Sequence, residues 1–428
     1  MKGMIISMTK DGVLLNKEYN KKEEKWSELC KRISLLGGDG EALVSALKKL
    51  HAVFGEDIPS WLGGLFDSCI GGFYYSEEAK ESDGYLPDIE STYQAIVLLQ
   101  ASGVISEYDE IPESVRRRIA GFICSLEDPD SGYFYHPQWS RSLSDSKPSR
   151  KNRDLGWAMA LSSWLDFDLP YADALTRLKS GAECADADIF SSREHFLNYL
   201  NTLDFGGKAV VSMHKLASAG NHIAAAGLED AAADFLHSIQ NTDTGLWGDG
   251  VTTDSVYVTS AALALYNRMQ RRVMRAELIA DTLLERFFSE VGSHSFESIA
   301  HIRNLWAAIF AVMQNLCLYS GDEGKAAADR VQVRLIFLAP DAVSHTAEHI
   351  SKFKRASGGF GYMSDLSPTT SQGVPVSPKN ASRGDVNSSV IAVGLVRGIY
   401  ASLGLEEFNP GLFDIGALGK FIDAIDKR

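Results

Sequence analysis

The chain of 428 residues has few cysteines, and their positions do not form a covalent or metal-binding framework. There are five, scattered along the chain, and none belongs to a C-x-x-C pair. An odd and scattered set excludes a disulfide scaffold and a structural zinc cage of the usual spacing. No G-x-G-x-x-G motif follows a strand pattern, and no P-loop is present. The sequence therefore predicts neither a cofactor nor a bound metal.

Long apolar runs and an excess of positive charge are also lacking. No stretch approaches about 18 uncharged apolar residues, and the N-terminus lacks both a long hydrophobic region and a small-residue cleavage site. These absences favour a soluble, cytoplasmic protein without a membrane span. The formal net charge of −14 argues against a nucleic-acid partner, because such proteins usually carry a basic face.

A glycine–aromatic signature recurs along the chain and predicts a repeat protein. Each copy has an apolar helix end, Gly-x-aromatic, a polar loop, and a new helix that opens with small and hydroxyl residues. The glycines are Gly71, Gly132, Gly245 and Gly358, at intervals of 61, 113 and 113 residues. The longer intervals are double steps of about 57 residues, a period typical of repeat architectures. Two more copies are therefore expected near residues 188 and 302, which makes six units.

The segments after the glycines have the composition of buried helices, and those before them are amphipathic. The former are apolar on more than one face, which is typical of helices buried on several sides. They are residues 91–100, 155–165, 256–265 and 386–400. The latter include residues 115–126 and 231–239, which carry surface charge. Residues 208–212 form a short segment with a β-like pattern.

These patterns predict an all-α fold, an (α/α)6-type toroid of helical hairpins with an inner ring of buried helices. Six repeated units are a number that can close a ring. We expect residues 1–55 to form an N-terminal helical segment that belongs to the toroid. Residues 56–428 would form the remainder, so that the whole chain is a single domain. One central pocket is then expected.

Two copies of the signature resemble a motif of a known superfamily. FLHSIQNTDTGLW contains Gln240, Gly245 and Trp247 at the offsets of the QW repeat of terpenoid cyclase and protein prenyltransferase toroids. A second copy keeps the same offsets, with Glu127 and Phe134 in place of Gln and Trp. The resemblance implies that the Gln caps a neighbouring helix and that the aromatic ring packs between units. It bears on architecture rather than on activity, because one fold hosts many functions.

The same resemblance makes isoprenoid chemistry an alternative function. Class II terpenoid cyclases resemble this architecture but require Asp-x-Asp-Asp, and Asp186-Ala-Asp188 lacks the last Asp. Protein prenyltransferases bind zinc through an Asp, a nearby Cys and a distant His. Asp67-Ser-Cys69 matches only the first two spacings and precedes the first repeat glycine. A terpenoid cyclase or prenyltransferase-like enzyme is thus supported by the repeat alone.

The loops after the glycines differ in length, and we expect them to surround the mouth of the pocket. They combine aromatic rings, carboxylates and guanidinium groups, a mixture that suits a hydroxyl-rich ligand such as a sugar. The candidate catalytic residues are Asp88, Glu90, His136, Arg153, Asp154, Asp254 and Asp385. The candidate substrate-binding residues are Tyr75, Tyr135, Trp139, Trp247, Tyr362, Gln372, Arg383 and Asn387.

The leading functional hypothesis is a carbohydrate-active enzyme, either a glycoside hydrolase or a polysaccharide lyase. Two carboxylates across the pocket could perform acid–base chemistry on a glycosidic bond. A Tyr or His with an Arg or Asn could instead perform β-elimination on a uronide. A non-catalytic binding toroid that uses the same loops is a third hypothesis. In each case the expected partner is a small molecule or an oligosaccharide.

Most of these candidates also have a structural interpretation. Asp88, Asp154, Asp254 and Asp385 precede predicted helix starts by one to three residues, where Asp commonly acts as a cap. Arg153 beside Asp154 is equally consistent with a structural ion pair. The aromatic run of residues 135–139 has no evident core role, which favours function.

Several histidines remain open to both interpretations. His345 and His349 formally match H-x-x-E-H, a zinc spacing, but they lie on a predicted outer helix, which favours ordinary surface or inter-helix histidines. Four others belong to the copies without the glycine signature and either line the pocket or satisfy buried hydrogen bonds. They are His214, His222, His294 and His301.

Overall fold

The computed structural model describes residues 10–180, 187–290, 296–414 and 416–426. Within these ranges it has twenty α-helices and one two-stranded antiparallel sheet, which confirms the predicted all-α class. In chain order the helices are α1 (Lys10–Leu35), α2 (Gly40–Ala52), α3 (Ile58–Gly64), α4 (Glu77–Glu81), α5 (Ile89–Ala101), α6 (Glu113–Leu126), α7 (Arg141–Asp145), α8 (Pro148–Leu165), α9 (Ala174–Ser180), α10 (Ala187–Phe190), α11 (Arg193–Asn201), α12 (Ala209–Ser218), α13 (Gly220–Ala226), α14 (Glu229–Ser238), α15 (Thr253–Met269), α16 (Ala276–Glu290), α17 (Ile299–Tyr319), α18 (Gly321–Ser351), α19 (Val386–Leu403) and α20 (Ala417–Asp426). The strands β1 (Thr370–Ser371) and β2 (Val374–Pro375) lie between α18 and α19.

Six helices, called the cyclic helices below, contact one another in an order that returns to its start. α5 packs against α8, α8 against α12, α12 against α15, α15 against α17, α17 against α19, and α19 against α5. Four of the six contain the segments predicted to be buried helices. α19 shows the pattern, with Val386, Ala392, Leu395 and Ile399 buried on more than one side.

The other helices pack around the cyclic helices. α6, α14 and α16 contact α8, α15 and α17 respectively, and α18 contacts both α17 and α19. α6 has the predicted amphipathic pattern, because Val115, Ile119, Phe122 and Leu126 are buried at helical spacing while Arg117 is exposed. The predicted N-terminal helical segment corresponds to α1 and α2, and α2 packs against α18. The division of the chain into domains remains a prediction.

The glycine signatures form a recurring turn. All four glycines have positive φ angles, between 69° and 113°, a conformation that other residues adopt with strain. In three copies the glycine N–H donates to the carbonyl oxygen of an Asp or Asn four residues earlier, at 2.8–3.0 Å. The pairs are Gly71–Asp67, Gly132–Asp128 and Gly245–Asn241.

Each aromatic residue of three of these turns is anchored to the helix that follows. Its backbone N–H donates to a hydroxyl oxygen within the first two turns of that helix, at 2.9–3.1 Å. The pairs are Phe73–Thr92, Trp247–Thr259 and Phe360–Ser389. These bonds give a physical reason for the small and hydroxyl residues with which the helices open, since a larger side chain would hold the turn away from the helix.

Gln240 links its own turn to the next unit. Its Nε2 atom donates to the carbonyl oxygens of Gly245 and Met274, each at 2.8 Å. Met274 lies just before α16, so the amide joins two successive segments. Trp247 is fully buried beside this link, and its Nε1 donates to the carbonyl oxygen of Leu236 at 2.7 Å.

Two expectations about secondary structure are wrong. Residues 208–212 begin α12 rather than a strand, because packing against α8 and α15 overrides their β propensity. α8 begins at Pro148, well before the predicted start at residue 155, since proline is well suited to the first helical position. Asp154 therefore lies inside a helix and does not cap one. The expected copies near residues 188 and 302 fall in α10 and α17, which have no glycine turn at those positions.

One described helix, α19, is long and apolar enough to cross a membrane, judged by its length and composition. Of its residues, 61% are buried inside the protein, where it packs against α5, α17 and α18. A helix in the core of a globular protein has the same properties.

His51 joins the N-terminal helices to α19. Its ring lies edge-on to Trp26 and to Tyr400, with centroid separations of 5.1 and 5.8 Å. Its Nε2 is 3.1 Å from the Tyr400 hydroxyl. Burial, together with repulsion from Lys22, lowers the pKa of His51 to about 3.

The repeat turn can be tested with Gly132→Ala. The alanine should lower the free energy of unfolding by about 1–3 kcal/mol, because a side chain is strained at a φ of 69° and its Cβ would lie 2.4 Å from the Ala172 carbonyl oxygen. Gly121 in α6 is the matched control, since a Cβ there meets nothing within 4 Å. Gly121→Ala should leave stability unchanged or raise it by up to about 1 kcal/mol. Equal stabilities of the two variants in urea unfolding would contradict a structural role for the turn.

The pH dependence of stability tests the buried state of His51. Because its folded pKa lies below the ordinary 6.5, the unfolded chain binds the proton first as the pH falls. His51 should therefore remove about 1.4 kcal/mol of stability per pH unit between about 6.5 and about 3. His51→Gln should lack this contribution, so the stability difference between wild type and variant must shrink as the pH falls. A pH-independent difference would refute the assignment.

Candidate functional site

A buried arginine brings together three of the carboxylates predicted to be catalytic. Arg150, the third residue of α8, is 2% exposed, and its guanidinium nitrogens lie 2.8 Å from Asp88, 2.7 Å from Glu90 and 2.9 Å from Asp154. The Trp139 ring covers the guanidinium at 4.6 Å. Burial alone would lower the pKa of Arg150, but the three carboxylates outweigh it and hold the pKa above its usual value. We call this group the Arg150 network.

The Arg150 network has more negative than positive charge, and the pKa values of nearby acids respond. Burial raises the pKa of Asp154 to about 7, against the opposing effect of Arg150, and the charges of Asp88 and Glu90 add to the rise. Burial likewise raises the pKa of Asp385 to about 6, although two hydrogen bonds from Ser388 oppose it. Partial protonation of Asp154 near neutral pH therefore relieves part of the excess negative charge of the network.

Both Asp88 and Asp385 are helix caps, as the structural interpretation predicted. Asp88 accepts hydrogen bonds from the backbone N–H and hydroxyl of Ser91 at 3.0 and 2.8 Å, at the start of α5. Asp385 does the same with Ser388 at the start of α19, at 2.7 and 2.8 Å. Their carboxylate oxygens therefore already accept hydrogen bonds from groups of the protein.

The hairpin of β1 and β2 lies against the Arg150 network and is hydrogen-bonded to it. Ser371 donates to Glu90 Oε2 at 2.5 Å. Trp139 Nε1 and Gln138 Nε2 both donate to the carbonyl oxygen of Pro375 at 2.9 Å. The aromatic run of residues 135–139 thus has a structural role that the sequence did not reveal. Gln372 occupies the tight turn of the hairpin, with a φ of 51°.

Tyr75 and Asn387 adjoin the Arg150 network. Burial, followed by the charges of Asp385 and Glu90, raises the pKa of Tyr75 well above its usual value. Its fully buried hydroxyl has no hydrogen bond of standard geometry among the described residues. The Asn387 side-chain oxygen accepts from Gln94 Nε2 at 2.9 Å, and the same nitrogen reaches Glu90 at 3.2 Å.

Other predicted site residues are held in structural contacts. His136 is buried with both ring nitrogens on the backbone, Nε2 at 2.7 Å from the Pro87 carbonyl oxygen and Nδ1 at 3.3 Å from the Gln138 N–H. Burial lowers its pKa. Trp247 lies in the core with no exposed surface, so its ring cannot contact a ligand. The structure disagrees with the predicted catalytic role of His136 and the predicted substrate-binding role of Trp247. Both side chains are buried and held by packing and hydrogen bonds within the protein.

Three more of the predicted site residues lie toward the surface. Tyr135 donates to Asp145 at 2.8 Å. Arg383 pairs with Glu81 at 2.8 Å. Asp254 is exposed in the first turn of α15, whose cap is Thr252. None of the three contacts the Arg150 network.

A second cluster forms where α8, α12, α15 and α17 meet, and Arg153 belongs to it. The Tyr257 hydroxyl lies 2.6 Å from His214 Nε2, with ring centroids 4.9 Å apart. Burial, and then the charge of Arg153, lowers the pKa of His214 to about 4. Burial raises the pKa of Tyr257 to about 12, opposed by Arg153 and Arg303. At neutral pH an uncharged imidazole therefore faces a protonated phenol. Tyr362, half-buried, adds to the rise in the Tyr257 pKa.

Arg153, Arg268 and Arg303 are close enough for their charges to interact. Burial, and then Arg153, lowers the pKa of both Arg268 and Arg303. Over the described ranges, no carboxylate lies within 4 Å of any of the three guanidinium groups. Arg303 nevertheless has solvent-exposed surface. A side chain that is surrounded by protein and still reached by water lies in an internal cavity.

A cavity of 710 Å³ lies where α5 and α19 end and where α17 continues past Arg303. Its walls include Gln100, Arg303, Phe310, Gln314 and Arg397. The volume falls in the range of roughly 300–1,000 Å³ that is typical of small-molecule sites. The charge of Arg303 also opposes the rise in the Tyr257 pKa, so Arg303 lies between the cavity and the His214–Tyr257 pair.

Carboxylates and arginines are distributed differently along the cyclic helices. The last carboxylates on α5, α8 and α15 are Glu90, Asp154 and Asp254, and α12, α17 and α19 have none. Besides Arg150, the same helices carry four arginines, of which only Arg153 was predicted from the sequence to be a site residue. They are Arg153, Arg268, Arg303 and Arg397. An isolated arginine in an otherwise apolar helix was the available signal.

The remaining histidines do not form a metal site in the part of the chain that the structure describes, where no group of three His, Cys, Asp or Glu is arranged to hold an ion. His345 faces Glu348 at 3.7 Å, and buried His349 packs edge-on against Phe296 at 4.9 Å. His222 is bound to the Tyr133 hydroxyl at 2.8 Å. Asp186 and His294 lie outside the described residues.

Comparison with known proteins adds no family to this geometry. No family model matches the chain, and neither a curated protein nor a solved structure matches it. The resemblance to the terpenoid cyclase and prenyltransferase toroids therefore remains a prediction.

The Arg150 network predicts a large difference between two arginine substitutions. Arg150→Met should lower the free energy of unfolding by about 3–5 kcal/mol, because three buried carboxylates lose their counter-charge. Arg141→Met is the matched control, since it removes a pair with Asp128 from a guanidinium that is 56% exposed. That loss should be at most about 1 kcal/mol. Similar losses in denaturant unfolding would show that the network contributes no more than a surface ion pair.

Proposed function

We propose that the chain is an (α/α)6 toroid in which the cyclic helices form the inner ring. The closed order of their contacts supports this, together with an earlier helix in the chain that is available as the outer partner of each. The outer and inner pairs would be α3–α5, α6–α8, α11–α12, α14–α15, α16–α17 and α18–α19. The likeness to the terpenoid cyclase and prenyltransferase toroids belongs to this proposal as architecture only.

We further propose that the interior binds an acidic carbohydrate and cleaves it by β-elimination, the reaction of a polysaccharide lyase. The observation that carries the proposal is the hydrogen bond of 2.6 Å between Tyr257 and His214 beside Arg153 and Arg303. It combines a proton acceptor, a proton donor and two positive charges that have no carboxylate within 4 Å among the described residues.

Each group has a role in this reaction. Arg153 and Arg303 bind the uronate carboxylate and stabilise the negative charge that develops when the neighbouring C5–H bond is broken. Neutral His214 accepts the C5 proton. The electron pair forms the C4=C5 double bond as the C4–O bond breaks, and Tyr257 donates its proton to the leaving oxygen. His214 then returns a proton to Tyr257, which restores the pair.

Hydrolysis of a glycosidic bond has less support, because it requires two carboxylates that reach the substrate. Asp88, Glu90 and Asp154 hold Arg150, Asp385 caps α19, and all four are at most 5% exposed. An isoprenoid substrate is also less well matched, since it favours a dry aromatic interior and this one carries four arginines.

Tyr257→Phe tests the proposal. The wild type is incubated with oligomers of galacturonate, of mannuronate and of glucuronate with hexosamine, and the unsaturated product is followed by its ultraviolet absorbance. Loss of the Tyr257 hydroxyl should lower turnover by about 10²–10⁴-fold, the usual contribution of a general acid or base. Tyr266→Phe on the same helix is the matched control, because Tyr266 donates to the Ala233 carbonyl oxygen in the core. It should retain full activity.

Two results would end this proposal. One is the absence of unsaturated product from every acidic oligomer. The other is a Tyr257→Phe enzyme that remains as active as Tyr266→Phe.

A further inference from the structure

We propose that the 710 Å³ cavity is a subsite for the acidic chain beyond the reacting unit, in which Arg397 binds a second carboxylate. The substrate would enter from the end at which α5 and α19 terminate, not through the loops that follow the repeat glycines. The inference rests on the proposed function for the position of the reacting bond. It concerns binding, however, which is measurable without turnover.

The shape of the cavity depends on small residues along α19. Gly394, Gly398 and Ala401 line it at helical spacing, and Ala307 of α17 lies in the same wall. A Cβ built on Gly394 or Gly398 meets nothing within 4 Å, so the space beside them is open. Two glycines in a helix interior reduce helix stability, and the volume they leave free is available to a ligand.

The charge of the cavity selects an anionic ligand. Arg303 and Arg397 both belong to its walls, and within the described chain neither has a carboxylate within 4 Å. Arg397 makes a hydrogen bond of 3.3 Å with the Gln100 side-chain oxygen, which leaves most of its donors free for a ligand. Glu406 is the one carboxylate of the wall, and it forms no ion pair with Arg397.

Polar uncharged groups complete a site for a hydroxylated ligand. Gln100, Gln314 and Asn409 line the cavity together with Trp306 and Phe310. Amides that hydrogen-bond to hydroxyls, aromatic rings that pack on sugar faces, and guanidinium groups that bind carboxylates are the groups an acidic oligosaccharide requires. Two arginines in one cavity match two acidic units of one chain.

The position of the cavity separates it from the loops predicted to form the mouth. α5 has 13 residues, so Gln100 lies about 18 Å along the helix axis from Asp88. At the Asp88 end, the Arg150 network and the β1–β2 hairpin enclose their own side chains, and Asp88, Asp154 and Trp139 are at most 7% exposed. The 710 Å³ cavity lies at the other end.

Calorimetric titration of the full chain with uronate trimers provides the test. Trimers of galacturonate, of mannuronate and of glucuronate with hexosamine are the probes, and galactotriose is the neutral control. The wild type should bind at least one acidic trimer and not galactotriose. Arg397→Gln should weaken that binding on the order of tenfold, the usual size of one lost charged contact. Arg330→Gln, on the outer helix α18, is the matched control and should bind like the wild type.

Gly394→Leu supplies a second variant that does not depend on charge. The leucine should obstruct the part of the cavity beside α19 and weaken trimer binding, while the melting temperature stays the same or rises. Neither variant touches the His214–Tyr257 pair, so binding of a single uronate should be retained in Arg397→Gln.

The outcomes separate this inference from the proposed reaction. Trimer binding that requires Arg397, without any unsaturated product, supports the subsite and overturns the lyase reaction. Product formation that is unchanged in both Arg397→Gln and Gly394→Leu overturns the subsite and supports the reaction. Binding of no acidic trimer, or equal binding of galactotriose, also overturns the subsite.

Discussion

Arg150 carries one positive charge into a region where Asp88, Glu90 and Asp154 meet, and the arrangement of three loops depends on it. Without the guanidinium, three carboxylates would be buried together, and a charge without a partner is strongly unfavourable away from water. An apolar cluster also joins these loops, since Tyr75, Ala79, Trp139, Val374 and Val376 are buried together. The hairpin of β1 and β2 closes over the network through Ser371 and Pro375.

Because the buried carboxylates are bound to Arg150 or cap helices, the functional site is expected elsewhere in the molecule. Residues whose types suggested acid–base chemistry are used to neutralise Arg150 or to cap helices. The pKa values of Asp154 and Asp385 are raised mainly by burial, not by access to a substrate. The groups that remain available lie deeper, on the cyclic helices, where His214 and Tyr257 share a hydrogen bond beside arginines without carboxylate partners. Among the described residues these arginines have no carboxylate within 4 Å, although the chain as a whole has a net charge of −14.

The repeat turns affect the cavity through the helices that follow them, because the same helices supply its walls. Three of the glycine turns deliver an aromatic backbone N–H to a hydroxyl in the first two turns of a cyclic helix, as Phe360 does with Ser389. That contact sets where the helix begins and therefore which of its residues face the same way as Gly394 and Arg397. The turns are structural, and their effect on function is to place the stripes of side chains that line the cavity.

The sequence by itself determined the helical class, the four glycine turns and the capping roles of Asp88 and Asp385, because these depend on local backbone conformation and short-range hydrogen bonds. It also identified Asp88, Glu90 and Asp154 as residues of interest, but not what they bind. Only the tertiary structure decided that Arg150 neutralises them, that residues 208–212 are helical, and that Tyr257 meets His214 from another helix. Partners separated by 43 to 62 residues leave no periodic signal, since their contact depends on how whole helices pack.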